Sequence, residues 1–385
     1  MNIPSSKVNT FAALRLPNYR LWFFGQMISL IGTWMQATAQ GYLVYELTGS
    51  ATYLGFISFI NGLPSWLFTL YGGVIADRFP RRTLLIITQS AMLALAIIMS
   101  LLVLTGWIVP WHIAVMAFLL GVANALDAPV RQSFVRELVD REYMTNAIAL
   151  NSTVFNVGTV LGPAVGGLTY AAVGPGWCFG LNAISFMAVI FNLVRMKLEP
   201  LPPVVQSGST IARLKEGFSY VAGHRVIRGI IINLGFISFF GFGLIALLPA
   251  WAVEVLHGDV ITNGWLLSAR GGGSLIGALI LASLGSRRIR GKIWAYSSLL
   301  IPFLWIIFAW ITSTSLSLFV MVFIGLSIIM ALNLSNAMVQ MQVEDALRGR
   351  VMGIYTMVFF GLNPLGSLLA GYAADHIGEQ WTVAC

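Results

Sequence analysis

The charged side chains with the most suggestive spacing are Asp77, Arg78, Arg81 and Arg82, within Gly72-Gly73-Val74-Ile75-Ala76-Asp77-Arg78-Phe79-Pro80-Arg81-Arg82. This stretch lies between two long apolar runs, and irregular charged backbone is not tolerated in hydrocarbon, so it reads as a tight turn at a membrane surface. The chemistry open to it is ion pairing and the capping of helix ends, not bond making. Arg270 is the one basic residue inside an apolar run. A cation there must be paired or face a water-filled cavity. It could draw in an anionic substrate, pair with Glu46 or Glu254, or snorkel to the surface. No acid stands at the middle of a run, and Glu46, Glu254 and Asp375 lie near run ends, so no proton carrier can be named. His112, His224, His257 and His376 are scattered, and Cys178 and Cys385 give neither metal spacing nor a disulfide framework. There is no phosphate-binding loop. Cofactor, metal and hydrolytic chemistry therefore lack residues to carry them, which disfavours an integral membrane enzyme.

The chain has 385 residues, 58% hydrophobic and 9% charged, against about 25% charged in soluble domains. So much apolar surface has no water-facing place to go, and the solvent for most of the chain is lipid. The net charge of +8 is dispersed between apolar runs rather than gathered on one module, which argues against nucleic acid. No removable signal peptide is expected, because the N-terminus lacks a short apolar core followed by small residues.

Eleven runs are long enough to span a bilayer as helices, at about 20 residues each: 20–46, 51–75, 83–105, 108–128, 144–172, 176–196, 227–255, 261–284, 292–312, 315–340 and 350–374. Basic residues precede the first run and follow every even-numbered one; 21 of the 22 fall on one side. The positive-inside rule then places the N-terminus and all even-numbered exits in the cytoplasm.

The interval from Lys197 to Arg225 divides the chain. It opens with Glu199-Pro200-Leu201-Pro202-Pro203 and continues into an amphipathic helix carrying Ile211, Leu214, Phe218 and Val221 on one face. The expected units are residues 1–196, a linker at 197–226, and residues 227–385. The halves look related: Pro163 in the fifth run and Pro364 in the eleventh are 364 − 163 = 201 residues apart, and the turn at Gly73–Arg82 has a weaker echo at Gly277–Arg288. A full second half needs a sixth helix. Gln380–Cys385 read as the start of a twelfth that the sequence lacks, with a true eleven-helix chain as the alternative.

Two further patterns concern packing and a cavity. Gly158, Gly162 and Gly166, with Pro163 and Gly167, form a smooth stripe that admits close helix approach and invites a bend. Gly271, Gly272, Gly273 and Gly277 offer a partner face. The first helix carries Gln26, Ser29, Thr33, Gln36 and Gln40 on one face, to which Asn233, Ser238, Asn333 and Asn336 could add. Polar groups facing lipid are costly, so the face lines either a cavity or another helix.

The pattern Gly73-x-x-x-Asp77-Arg78-x-Pro80-Arg81-Arg82 resembles motif A of the major facilitator superfamily, which usually has glycine where Pro80 stands. Gly158-x-x-x-Gly162-Pro163-x-x-Gly166-Gly167 resembles motif C of its antiporters. Asp127-Ala128-Pro129-Val130-Arg131-Gln132 with Glu137-Leu138-Val139, and Arg348-Gly349-Arg350-Val351-Met352-Gly353, are similar to the branch of enterobactin exporters and macrolide efflux pumps. The resemblance implies an all-α integral membrane protein of two pseudo-symmetric six-helix bundles, with the substrate site between them. It also implies a latch in which Asp77 points at the N-terminus of the eleventh helix, near Gly349-Arg350-Val351, and Arg81 is engaged by Asp127, beside Gly73, Arg78, Arg82 and Arg131. The implied function is export of small amphiphilic molecules, drug-like or siderophore-like, by alternating access with proton antiport. Import of a small metabolite is the alternative. The expected setting is a bacterial inner membrane, with a monomeric chain embedded in the lipid bilayer, protons and a small molecule as partners, and neither cofactor nor metal.

Overall fold

The computed structural model describes residues 11–197, 210–284 and 289–385, with backbone alone for 69–78, 210–215, Leu284 and Ala346. Among these residues every regular element is helical. The helices are α1 Pro17–Thr48, α2 Ala51–Arg78, α3 Arg81–Leu104, α4 Pro110–Leu138, α5 Met144–Val173, α6 Pro175–Arg195, α7 Thr210–Gly223, α8 Arg225–Val255, α9 Val260–Leu284, α10 Arg290–Ala309, α11 Thr314–Gln342, α12 Asp345–Ile377 and α13 Glu379–Ala384. All eleven expected runs are helical. Among the described residues, α3 to α6 and α8 to α12 are each long and apolar enough to cross a membrane. Their outward surfaces expose Ile98, Leu101, Ile184, Phe191, Leu279, Leu299 and Phe319, as lipid-facing helices should.

Short connections force neighbouring helices antiparallel. Gly49, at φ 58°, ends α1 in the left-handed conformation that glycine adopts without strain, and leaves only Ser50 before α2. Three departures from the expected boundaries have physical causes. The turn at residues 72–82 is shorter than expected: α2 continues to Arg78, leaving Phe79 and Pro80 as the whole connection. Helix α4 runs ten residues past its apolar stretch, to Leu138, because its charges find partners inside the protein. Helix α12 begins at Asp345 rather than 350, so its N-terminal amides lie a turn further out than expected.

Helix α8 is irregular in a way composition did not reveal. After Phe236 it widens into a π turn at Ile237–Phe242, tightens at Gly243–Leu247, and widens again at Trp251–Val255. A methyl group on Gly243 would stand 2.7 Å from the Gly366 carbonyl carbon, so the distorted segment presses on α12 beside Pro364.

Among the first six helices, α1 packs on α5 and α6, α2 on α4, and α3 on α4 and α6. Among the later ones, α9 and α10 pack on α11. The two sets meet through α2 with α12 and α5 with α9. Away from the arginine-rich connections, one apolar core runs across both sets, joining Met35, Leu54 and Phe179 to Trp251, Phe308 and Met321. At the basic end the core divides. One cluster holds Tyr19, Trp22, Leu85, Phe134 and Leu193, and another holds Ile227, Ile230, Val339, Val351 and Tyr355. Helix α7 joins the second cluster through Val221, and Gly217 lies against Ile354 and Arg350 of α12. Of its expected apolar face, Ile211 and Leu214 lie outside the described side chains.

Candidate functional site: a seam between two helix sets

The carboxylate of Asp127 is fully buried in α4. It accepts hydrogen bonds from Thr88 Oγ1 at 2.8 Å and Gln89 Nε2 at 3.1 Å, and Arg131 Nε stands 3.3 Å from its other oxygen. Arg81 pairs with Glu137, and Arg82 donates to the Val194 carbonyl at the end of α6 at 2.7 Å. The expected contact between Arg81 and Asp127 is therefore replaced by two separate pairs. The reason is distance along the helix: Asp127 and Glu137 are ten residues apart, roughly 15 Å, and Arg81 at the start of α3 stands level with Glu137. Sequence reading missed Thr88 and Gln89, which carry no signal until α3 is laid against α4. The side chains of Gly73's neighbours Asp77 and Arg78 lie outside those described.

At the opposite end an acid does join the two sets. Asp375, in the last turn of α12, accepts from Ala51 N at 2.8 Å, Thr52 N at 2.9 Å and Ser50 Oγ at 2.6 Å. It thus caps the N-terminus of α2 from across the seam. A carboxylate at the C-terminal end of its own helix is unfavourable, and the positive N-terminus of α2 offsets that. Beside it, Tyr45 of α1 donates to Glu254 of α8 at 2.7 Å, while Tyr170 of α5 donates to Glu46 of α1.

Between these ends the two sets touch backbone to backbone. Gly158, Gly162 and Gly166 face Leu30, Trp34 and Met35 of α1, not α9 as expected. One residue round the helix, Thr159, Pro163 and Gly167 face α9. Pro163 has no N–H, so the Thr159 carbonyl loses its helical donor, and Gly271 lies against that oxygen. A methyl group on Gly264 would stand 2.6 Å from the Pro163 carbonyl oxygen, and one on Gly167 would stand 2.8 Å from that of Val260. Of the expected partner glycines, Gly273 and Gly277 instead face α11, and Gly272 meets nothing within 4 Å. The α2–α12 contact is built alike: Gly55 abuts Ser367, Gly62 abuts Pro364, and Gly371 abuts Ala51. Replacing Gly271 with leucine should force α5 and α9 apart at a cost of about 1–3 kcal/mol. The readout is accessibility of a cysteine at Gly272, where an added side chain meets nothing within 4 Å, to a membrane-impermeant thiol reagent, with the exposed Cys385 replaced by serine; unchanged labelling would mean the seam has slack.

The expected polar face of α1 divides in two. Gln36 Oε1 accepts from Asn182 Nδ2 of α6 at 2.7 Å, and Gly25 and Gly32 seat Asn192 and Asn182, so this edge binds helices together. Gln26, Thr33 and Gln40 recur every seven residues on the adjacent edge, with Gln26 buried and the other two half-buried. Asn333 is exposed on the basic-side half of α11, and Asn336 accepts from Gln340 one turn on. Asn233 departs from the expected cavity: its Oδ1 accepts from Ser298 at 3.1 Å, inside a largely apolar groove of about 560 Å³ between α8 and α10. Ser238 donates to the Phe359 carbonyl. Arg270 is 8% exposed, which excludes snorkelling, and Glu46 and Glu254, its expected partners, are engaged by tyrosines instead.

Comparison with known proteins agrees with this architecture. A sequence model of a family described as transmembrane secretion effectors matches residues 8–385. The staphyloferrin A transporter of Staphylococcus aureus is 28% identical over 93% of this chain and 90% of its own length. The multidrug efflux pump Tap of Mycobacterium tuberculosis is 25% identical, over 94% and 88%. Macrolide efflux protein A of Streptococcus pyogenes is 21% identical, over 95% and 92%. Among solved structures, the nucleoside transporter NupG superposes with a TM-score of 0.74 at 13% identity, over 96% of this chain and 95% of that one. A bacterial homologue of the lysosomal transporter Spinster, inward-facing and unoccupied, gives 0.67 at 14%, over 99% and 92%. Their identity is low, and they speak for the fold alone. The chain belongs to the transmembrane secretion effector family and is a multi-pass membrane transporter of the major facilitator superfamily.

Proposed function

We propose that the protein exports small amphiphilic molecules, drug-like or siderophore-like, by alternating access coupled to proton entry across a bacterial inner membrane. Residues 1–196 and 227–385 act as the two moving units, joined by 197–226, and the N-terminus lies in the cytoplasm. One observation carries the reading: the apolar core is continuous across both sets at one end and divided at the arginine-rich end. If positive charge marks the cytoplasm, this is the inward-open conformation, with α11's exposed Asn333 and Gln340 bordering a wet entrance. Export rather than import is supported by relatives named for multidrug and macrolide efflux.

The outward-open conformation would exchange one clasp for another. Asp375 caps α2 at the sealed end here; by the same logic Asp77, which follows the long apolar run of α2, would cap the N-terminal region of α12, which includes Gly349-Arg350-Val351, when the other end closes. Arg78, Arg81, Arg82 and Arg131 would then hold that end, with Asp127 supporting α4 from within. The decisive experiment uses inverted vesicles containing the monomeric chain and an imposed pH gradient. Substrate should accumulate inside and escape when the gradient is dissipated; accumulation that persists without the gradient refutes proton coupling, and counter-flow only in the opposite sense makes the chain an importer.

A further inference from the structure

Arg270 and Asn263 lie seven residues apart on α9, two turns along one face. Trp265, Ile276, Leu279 and Ile280 are exposed on the outward side of that helix, while Gly264 and Gly271 meet α5, and Gly273 and Gly277 meet α11. Arg270 and Asn263 fall between those two contacts, on the side away from lipid. Asn263 is fully buried, and neither its amide nitrogen nor its carbonyl oxygen has a hydrogen-bond partner. Arg270 is likewise buried, its Nε has no partner, and no described ion pair includes it.

The acids near the sealed end of α9 are engaged elsewhere. Asp259 accepts from the amides of Ile261 and Thr262, Glu46 from Tyr170, and Glu254 from Tyr45. The buried Nε of Arg270 and the buried carboxamide of Asn263, both without partners, raise the free energy of the empty protein. A ligand that pairs with them would recover that cost. Long side chains on a helix lean toward its N-terminus, which carries the guanidinium toward the turn of Asn263.

We infer that Arg270 and Asn263 form a subsite for the carboxylate of an organic anion, at the closed apex of the space between the two sets. The planar guanidinium matches a carboxylate by two parallel N–H donors. The carboxamide donates a further N–H to an oxygen of the same group, an interaction open to a carboxylate and to a neutral amide alike. The inference rests on reading the chain as a small-molecule transporter and narrows its substrates to those with a carboxylate.

The test titrates the purified full chain with benzoate and with benzamide, which have nearly the same shape but differ in charge, and follows thermal stabilisation. Wild type should bind benzoate roughly tenfold or more tightly than benzamide. Arg270→Gln should abolish that preference, Arg270→Lys should keep part of it, and Asn263→Ala should weaken both ligands. Without ligand, Arg270→Gln should melt at or above the wild-type temperature, because it removes a charge that is 8% exposed and has no ion-pair partner among the described residues. Equal binding of the two ligands to wild type, a benzoate preference surviving in Arg270→Gln, or a lower melting temperature of that variant without ligand would overturn the site. If Arg270→Gln does not fold, an undiminished preference in Arg270→Lys together with unchanged affinity in Asn263→Ala overturns the site equally. Export is tested separately. Arg270-dependent benzoate binding in a chain that moves nothing in vesicles refutes export and leaves the site standing; transport of other compounds with Arg270-independent binding does the reverse.

Discussion

Replacing Asp375 with alanine should open the sealed end. The carboxylate receives two backbone N–H groups and a hydroxyl from the start of α2, where the Ser50 hydroxyl accepts only from Tyr53 N. Loss of a helix cap costs about 1–2 kcal/mol, a roughly 5- to 30-fold shift in a two-state equilibrium. Asp375 is exposed to solvent, so water recovers part of the loss and the lower figure is the better guide. Spin labels at Thr105 and Thr312, in connections at that end on opposite sides of the seam, should show a longer distance population in the variant. Asp375→Asn should have a smaller effect, because a neutral carboxamide still accepts one amide. An identical distance distribution in the alanine variant would mean that Asp375 is no clasp and that the glycine seams alone close this end.

Asp127→Ala should damage folding rather than gating. The side chain is fully buried, and its removal strands the buried Thr88 hydroxyl and Gln89 amide, while Arg131, 27% exposed, can turn to water. Leaving a buried donor unsatisfied costs about 1–3 kcal/mol for each group, a large fraction of the roughly 5–15 kcal/mol that holds a domain together. The detergent-solubilised variant should melt well below wild type. Pairing the change with Thr88→Val should give less than the sum of the single losses, because the two share one interaction. A melting temperature unaltered by Asp127→Ala would show that water replaces the carboxylate and that the site is wetter than its burial implies.

The helices themselves were legible because lipid leaves little choice. Runs of twenty apolar residues must be helical, and the return of arginine at every second exit fixed their order. What was not legible depends on which neighbour a given turn meets. The glycine stripe of α5 was evident, but its partner was misassigned: 158, 162 and 166 meet α1, and a shift of one residue carries 159, 163 and 167 to α9. Arg81 had two acids on α4 within plausible reach, and only the relative height of α3 and α4 selects Glu137. Asp375 did leave a trace, since an acid in the last turn of a helix opposes that helix's own dipole and hints at a foreign N-terminus. The widened turns of α8 left none that composition could show, although Phe239-Phe240-Gly241-Phe242-Gly243 marks the place.

Where α5 crosses α9, and at Gly55 and Gly371 where α2 crosses α12, bare glycine backbone lies on bare backbone. Interdigitated side chains would permit only a few discrete crossing angles, each separated by the work of lifting knobs from holes. Along α5 and α9 such notches are few, while between α2 and α12 the Trp66 ring seated on Gly361 and the Pro364 ring seated on Gly62 are the main ones, so tilting one set on the other meets a comparatively shallow energy profile. Where the motion stops is then decided at the rims, by a handful of carboxylates and tyrosines, and single substitutions there should retune the resting tilt without touching the bearing itself.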